Sequence, residues 1–108
     1  MTATKMLRQG DVLLVRVEAL PEGVVRVGRR GKIVLAEGEA TGHAHVVASR
    51  DAVVHVDPRA DERFLLVRGK RPVVLRHEEH DPIAVPPGVW QVRRQREYDP
   101  RKERWIAD

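Results

Sequence analysis

The chain has 108 residues, which is enough for one domain with a modest core and too few for two. It contains no Cys, which excludes disulfides and thiolate metal ligands, and its 42% hydrophobic residues argue against a disordered chain. The net charge of +4, from 20 Lys and Arg against 16 Asp and Glu, is too small to indicate a partner by itself.

Short apolar runs rich in Val recur along the chain, separated by Gly, Pro and charged residues. This pattern predicts strands and turns, and no stretch shows the apolar stripe of an amphipathic helix. In chain order, the predicted strands are 11–18, 24–27, 32–36, 43–48, 52–57, 63–68, 72–76, 83–85 and 89–97. We therefore expect an all-β fold, a single-domain β-barrel or double-stranded β-helix, with little or no helix.

Residues 1–108 are expected to form one β domain, because no linker or repeat divides the chain. In segment 100–108, the polar surroundings of Trp105 and Ile106 leave three forms open: an edge strand, a one-turn helix or a tail that docks on a neighbouring subunit. A homo-oligomer is expected. There is no signal-peptide core and no apolar run of about 18 residues, so we expect a cytoplasmic protein with no membrane partner.

The strongest chemical signal is the clustering of four of the five histidines. His43 and His45 lie two residues apart on a predicted strand, where side chains at i and i+2 share a face. Two imidazoles placed in this way can reach one metal ion. Alternatively, both rings face solvent, since Ala44 and Val46 are apolar enough to form the core row instead.

The second group is His77-Glu78-Glu79-His80. Its histidine spacing and the Pro that follows it exclude the helical zincin motif. A turn at the end of a strand is expected instead, and it can offer a histidine and a Glu as further ligands. Glu78 and Glu79 are also candidates for catalytic acid/base roles beside a metal-bound water, with solvated turn residues as the alternative.

These two groups define the predicted site, a divalent-metal or small-molecule site whose reaction stays open. The expected cofactor is Zn, Fe, Ni or Mn. The predicted metal ligands are His43, His45, His77 and His80.

The motif His43-x-His45, with Pro86-Pro87-Gly88 after a later strand, resembles the two-motif layout of the cupin superfamily. Cupins are small β-barrels that typically hold a metal through His-x-His, a Glu and a later His. The resemblance implies a barrel in which His43 and His45 are ligands. Residues 46–50 contain no carboxylate and Gln91 stands where the later His would fall, so the second histidine group would supply the remaining ligands.

A second resemblance covers roughly residues 37–100 and is carried by GEATGHAH at 38–45, HEEH at 77–80 and QREY at 95–98. In these strings the chain is similar to a group of small uncharacterised bacterial and phage proteins. The similarity implies kinship and transfers no activity.

Two other function classes compete with the metal site. One is a structural or protein-interaction module that assembles through edge strands and the Trp105 segment. The other is nucleic-acid binding, which would be mainly electrostatic because the chain has few aromatic residues. Two cationic regions would carry it, segment 93–104 and the cluster of Arg26, Arg29, Arg30 and Lys32.

Overall fold

The structure is a computed structural model that describes residues 5–28, 31–37 and 42–94, with the backbone of residues 97–99 and 104–106. Every regular element in these residues is a β-strand, which confirms the all-β prediction. The strands are β1 (Met6–Gln9), β2 (Val12–Val17), β3 (Val25–Val27), β4 (Ile33–Glu37), β5 (Ala44–Val47), β6 (Ala52–Asp57), β7 (Glu62–Val67), β8 (Val73–Arg76), β9 (Ile83–Val85), β10 (Gly88–Arg94), β11 (Glu97–Asp99) and β12 (Arg104–Ile106).

Each of the nine predicted strands is present, two of them, 52–57 and 83–85, with the predicted ends and the others with shifted ends. Residues 97–99 form a separate strand, β11, that was not predicted, and neither was the first strand, β1. It pairs with β2 through a two-residue turn, Gly10–Asp11, which places Gln9 opposite Val12. Gly10 has a φ of 58°, as the first position of a type II′ turn requires. A Gly-Asp pair between two apolar runs is a hairpin signal, so the sequence did carry evidence for this strand.

At the C-terminal end, residues 104–106 of the predicted tail or edge strand form β12 and pair with β11. The other residues of segment 100–108 lie outside the described part of the chain.

The main strands form two antiparallel sheets, ordered β1-β2-β10-β7-β6-β3 and β4-β5-β8-β9. Both sheets contribute side chains to one apolar core, because alternate residues of each strand point to the same side. The cupin-like barrel stays a prediction. The buried members of the core are Val12, Leu14, Ile33, Leu35, Val47, Ala52, Val54, Leu65, Val67, Val73, Leu75, Val85 and Trp90.

The pairing of β5 with β8 brings the two histidine motifs together. Val47 lies opposite Leu75, and Val46 lies opposite Arg76. Continuing this antiparallel register beyond the last paired residues places 45 opposite 77, 44 opposite 78 and 43 opposite 79. The start of β5 therefore lies next to the beginning of the loop between β8 and β9.

Among the described residues, no helix could cross a membrane.

Candidate metal centre

The four clustered histidines converge at one end of the four-stranded sheet. The ring centroids of His45 and His77 lie 4.3 Å apart, and those of His77 and His80 lie 4.5 Å apart. His43 completes the group with its ring centroid 5.6 Å from that of His77. His77 is therefore the central ring, and the two motifs form one cluster.

The exposed side of this cluster holds a set of potential metal ligands. His43, His77 and Glu78 each offer one donor atom, and these atoms lie within 4.8 Å of one another. Ligands bound about 2.0–2.2 Å from one ion are separated by at most roughly 4 Å. A small inward movement of these side chains would place all three on one ion.

Glu78 is oriented and kept ionised by backbone groups. Its Oε2 accepts a hydrogen bond of 3.0 Å from the amide of Ala44. Hydrogen bonds from the amides of Glu78 itself and Ala44 lower the pKa of the Glu78 carboxyl, and the nearby His43 and His77 act in the same direction. A carboxylate that is ionised at neutral pH is the form that binds a metal ion.

Glu79 makes contacts with both histidines of this set. Its Oε1 lies 3.3 Å from His43 Nδ1, and its backbone amide donates a hydrogen bond of 3.0 Å to His77 Nδ1. The first contact resembles the carboxylate–histidine pairs that orient metal ligands. In the second contact Nδ1 of His77 is the acceptor, so a neutral His77 ring carries its hydrogen on Nε2. A metal ion that binds Nδ1 must therefore displace the Glu79 amide, and one that binds Nε2 must replace the hydrogen on that atom.

His45 belongs to the buried side of the cluster, with only 1% of its surface exposed. Its Nδ1 lies 2.9 Å from Gln9 Oε1, and its Nε2 lies 3.1 Å from Asp11 Oδ1. Gln9 uses both amide hydrogens elsewhere, so its Oε1 accepts a hydrogen bond from His45 Nδ1. Both ring nitrogens are therefore engaged away from the exposed ligands.

The surroundings of His45 have opposing effects on its pKa. Burial lowers the pKa of His45, and repulsion from His77 and His80 lowers it further. The hydrogen bond to Asp11 acts to raise it.

Arg94 extends the buried network to the edge of the four-stranded sheet. Its Nε donates to Asp11 Oδ2 at 2.7 Å, and its Nη2 donates to the carbonyl of Glu37. Arg94 also lines a cleft of about 590 Å³ beside β4 and β10. The β1–β2 turn is thereby tied to β4, β5 and β10.

The β1–β2 turn also contacts the remaining histidine. A Cβ atom placed on Gly10 would lie 2.4 Å from His80 Nε2, so the His80 ring packs directly on the glycine backbone. The His80 ring is almost parallel to that of His45, with an interplanar angle of 10° and a centroid distance of 6.2 Å.

The structure thus separates the four predicted metal ligands into two pairs. His43 and His77 share a candidate ligand set with Glu78, whereas His45 and His80 pack against the β1–β2 hairpin. The ligand roles of His45 and His80 and the acid/base roles of Glu78 and Glu79 stay predictions.

Three residues of the network, Gln9, Asp11 and Arg94, were missed by the sequence analysis. They lie on three different strands or turns, and nothing in the local sequence distinguishes them from surface residues. Only the pairing of distant segments reveals their role.

The predicted nucleic-acid cluster is described in part. Arg26 and Lys32 are exposed. Arg29 and Arg30 lie outside the described residues, and nucleic-acid binding stays a prediction.

The chain belongs to a family described as a domain of unknown function, DUF8820, whose profile matches residues 8–95. The matched segment includes every residue of the histidine cluster and its buried network. No curated protein and no solved structure matches the chain.

Proposed function

We propose that this protein binds a divalent transition-metal ion through His43, His77 and Glu78. The observation that carries the proposal is the proximity of three donor atoms of the right chemical type, within 4.8 Å of one another at the half-exposed end of the sheet. The ionised Glu78 and the contact between Glu79 and His43 support it further.

Two imidazoles and one carboxylate form a donor set that suits catalytic zinc and non-haem iron(II). Such a set leaves at least one coordination position for water or a small-molecule ligand. An ion held there would act as a Lewis acid or activate its bound water.

The first experiment measures metal content in protein purified without a histidine tag, followed by calorimetric titration with zinc, iron(II), nickel and manganese. We expect one ion per chain with micromolar or tighter affinity. The double variant His43→Ala/His77→Ala should lose this affinity by at least about 100-fold, because it removes two of three ligands. Glu78→Gln should weaken binding less, because the amide oxygen still offers a neutral ligand.

The matched control is His55→Ala, because His55 lies on β6, outside the cluster, and is the fifth histidine of the chain. Its metal affinity should equal that of the wild type. Equal losses in His55→Ala and in the double variant, or no metal binding by the wild type, would refute the proposal.

Self-association through β3 is a second candidate function. Among the described residues, β3 pairs on one side only, with β6, and its Val25 and Val27 are 55% and 38% exposed. An unpaired apolar edge is a template for strand pairing with a second copy. Light scattering should show a dimer or larger species that Val25→Lys dissociates, and a monomeric wild type would exclude it.

A further inference from the structure

The side chain of Gln9 is almost fully buried, with 3% of the residue exposed, and all its polar atoms have partners. Its Nε2 donates to the carbonyls of Leu75 and Asp81 at 2.8 and 2.9 Å. Its Oε1 accepts from His45 Nδ1 at 2.9 Å. Because two carbonyls surround Nε2, only one orientation of the amide satisfies every group.

The two carbonyls lie on either side of the loop that carries the candidate ligands. Leu75 is in β8, and Asp81 precedes β9. Between them the chain runs through His77 and Glu78, where exposed glutamates offer little packing to hold the loop in place. Gln9 therefore bridges the two ends of this loop with a single amide group.

The third hydrogen bond of Gln9 is to His45, the ring against which His77 packs. It fixes the orientation of the His45 ring, and the His77 ring lies 4.3 Å from that ring between centroids. The Gln9 side chain thus holds both the loop that carries His77 and the His45 ring against which His77 packs.

We propose that Gln9 is a positioning residue that sets the distance of His77 and Glu78 from His43 and thereby the metal affinity of the site. This inference rests on the proposed metal function. The hydrogen bonds of Gln9 go to Leu75, Asp81 and His45 and not to the three proposed ligands, so it acts through the backbone of the β8–β9 loop and through the His45 ring.

The test compares Gln9→Met with Gln91→Met. Gln91 is a matched control, because its amide also donates a hydrogen bond, to Glu62 Oε2 at 3.0 Å, away from the site. Residues that orient metal ligands typically change affinity about 10- to 100-fold when they are replaced. We expect Gln9→Met to weaken zinc and cobalt(II) binding at least tenfold and to alter the visible spectrum of bound cobalt(II), whereas Gln91→Met stays within twofold of the wild type.

A metal-free measurement separates this inference from the metal proposal. Amide hydrogen exchange of residues 77–81 in the apo protein should be at least tenfold faster in Gln9→Met, relative to amides of β6 and β7. If the wild type binds no metal but the loop still exchanges faster, Gln9 positions the loop and only the metal function fails. Unchanged loop exchange with unchanged metal affinity would overturn the inference.

Gln9→Glu provides a second variant if Gln9→Met does not fold. It keeps the size of the side chain and the acceptor for His45, and it removes the two donors to the loop carbonyls. The same changes in loop exchange and metal affinity are expected, and their absence in this variant would likewise refute the positioning role.

Discussion

The histidine cluster has two sides that differ in how their polar atoms are used. On the buried side, His45 and Asp11 are both less than a tenth exposed and are held by Gln9 and Arg94. On the exposed side, Glu78 and Glu79 reach solvent, and the contacts there are made by flexible side chains and backbone amides.

This difference indicates that the buried and the exposed His and acidic residues have different roles. A buried polar group stabilises a fold only when its partners are complete, and removing one partner is costly. Partly exposed imidazoles and exposed carboxylates contribute less to folding and can change partners, as metal binding requires. The buried side therefore stabilises the fold, whereas the exposed side contains the proposed metal ligands.

The largest expected effect that tests this contrast is on stability. Asp11→Ala leaves the Arg94 guanidinium and His45 Nε2 without their shared partner, and we expect it to lower the free energy of unfolding by about 3 kcal/mol. Glu79→Ala removes a carboxylate that is 57% exposed, and we expect a change within about 0.5 kcal/mol. Urea denaturation measures both, and equal losses would contradict the division into two sides.

A smaller effect is expected at the β1–β2 turn. Gly10→Ala forces a side chain into a left-handed conformation, at a cost of about 1–2 kcal/mol, and also displaces the His80 ring. Gly28→Ala is the matched control, because Gly28 also has a positive φ, but apart from its chain neighbours no atom of the described residues lies within 4 Å of its added Cβ. The unfolding free energy should fall further in Gly10→Ala than in Gly28→Ala.

The position of the His80 ring can be followed directly by its NMR signals, which should shift in Gly10→Ala and not in Gly28→Ala. Equal destabilisation with unshifted ring signals would show that His80 does not depend on the turn.

The smallest effect concerns His55, which contrasts with His45. Its Nδ1 is buried and has no hydrogen-bond partner among the described residues. Burial lowers the pKa of His55, and the nearby Arg26 and Arg68 lower it further. In the unfolded chain His55 takes up a proton near pH 6.5, whereas in the folded protein it does so only at lower pH. Stability is therefore lost as the pH falls below about 6.5.

We expect His55→Gln to reduce this acid sensitivity. The urea midpoint should fall less in the variant than in the wild type between about pH 7.5 and about pH 5.5. The same fall in both proteins would mean that His55 titrates normally in the folded state.

The strands were predictable because their signal is local. Val-rich runs bounded by Gly, Pro or charged turn residues, such as Val12–Val17 and Ala52–Asp57, indicate extended structure without reference to the rest of the chain. The two histidine motifs are local features as well, so the sequence could predict that their residues form a site. The exception is β1, whose four residues include only two apolar side chains, so that the Gly10–Asp11 turn was its main local signal.

The partners of each histidine were not predictable. His45 and Asp11 are 34 residues apart, and Arg94 and Asp11 are 83 apart, so no spacing rule connects them. Which of His43 and His45 is buried depends on where β5 begins and which side of that strand faces the other sheet.

The sequence by itself determined that this is a β-protein with histidine-rich segments at two strand ends, because residue period and turn residues act over a few positions. Only the tertiary structure decided that these segments meet, since the register of β5 against β8 is set by a core that both sheets fill. It also decided which imidazoles are held by Gln9 and Asp11, because a buried polar atom takes the partner that packing brings to it.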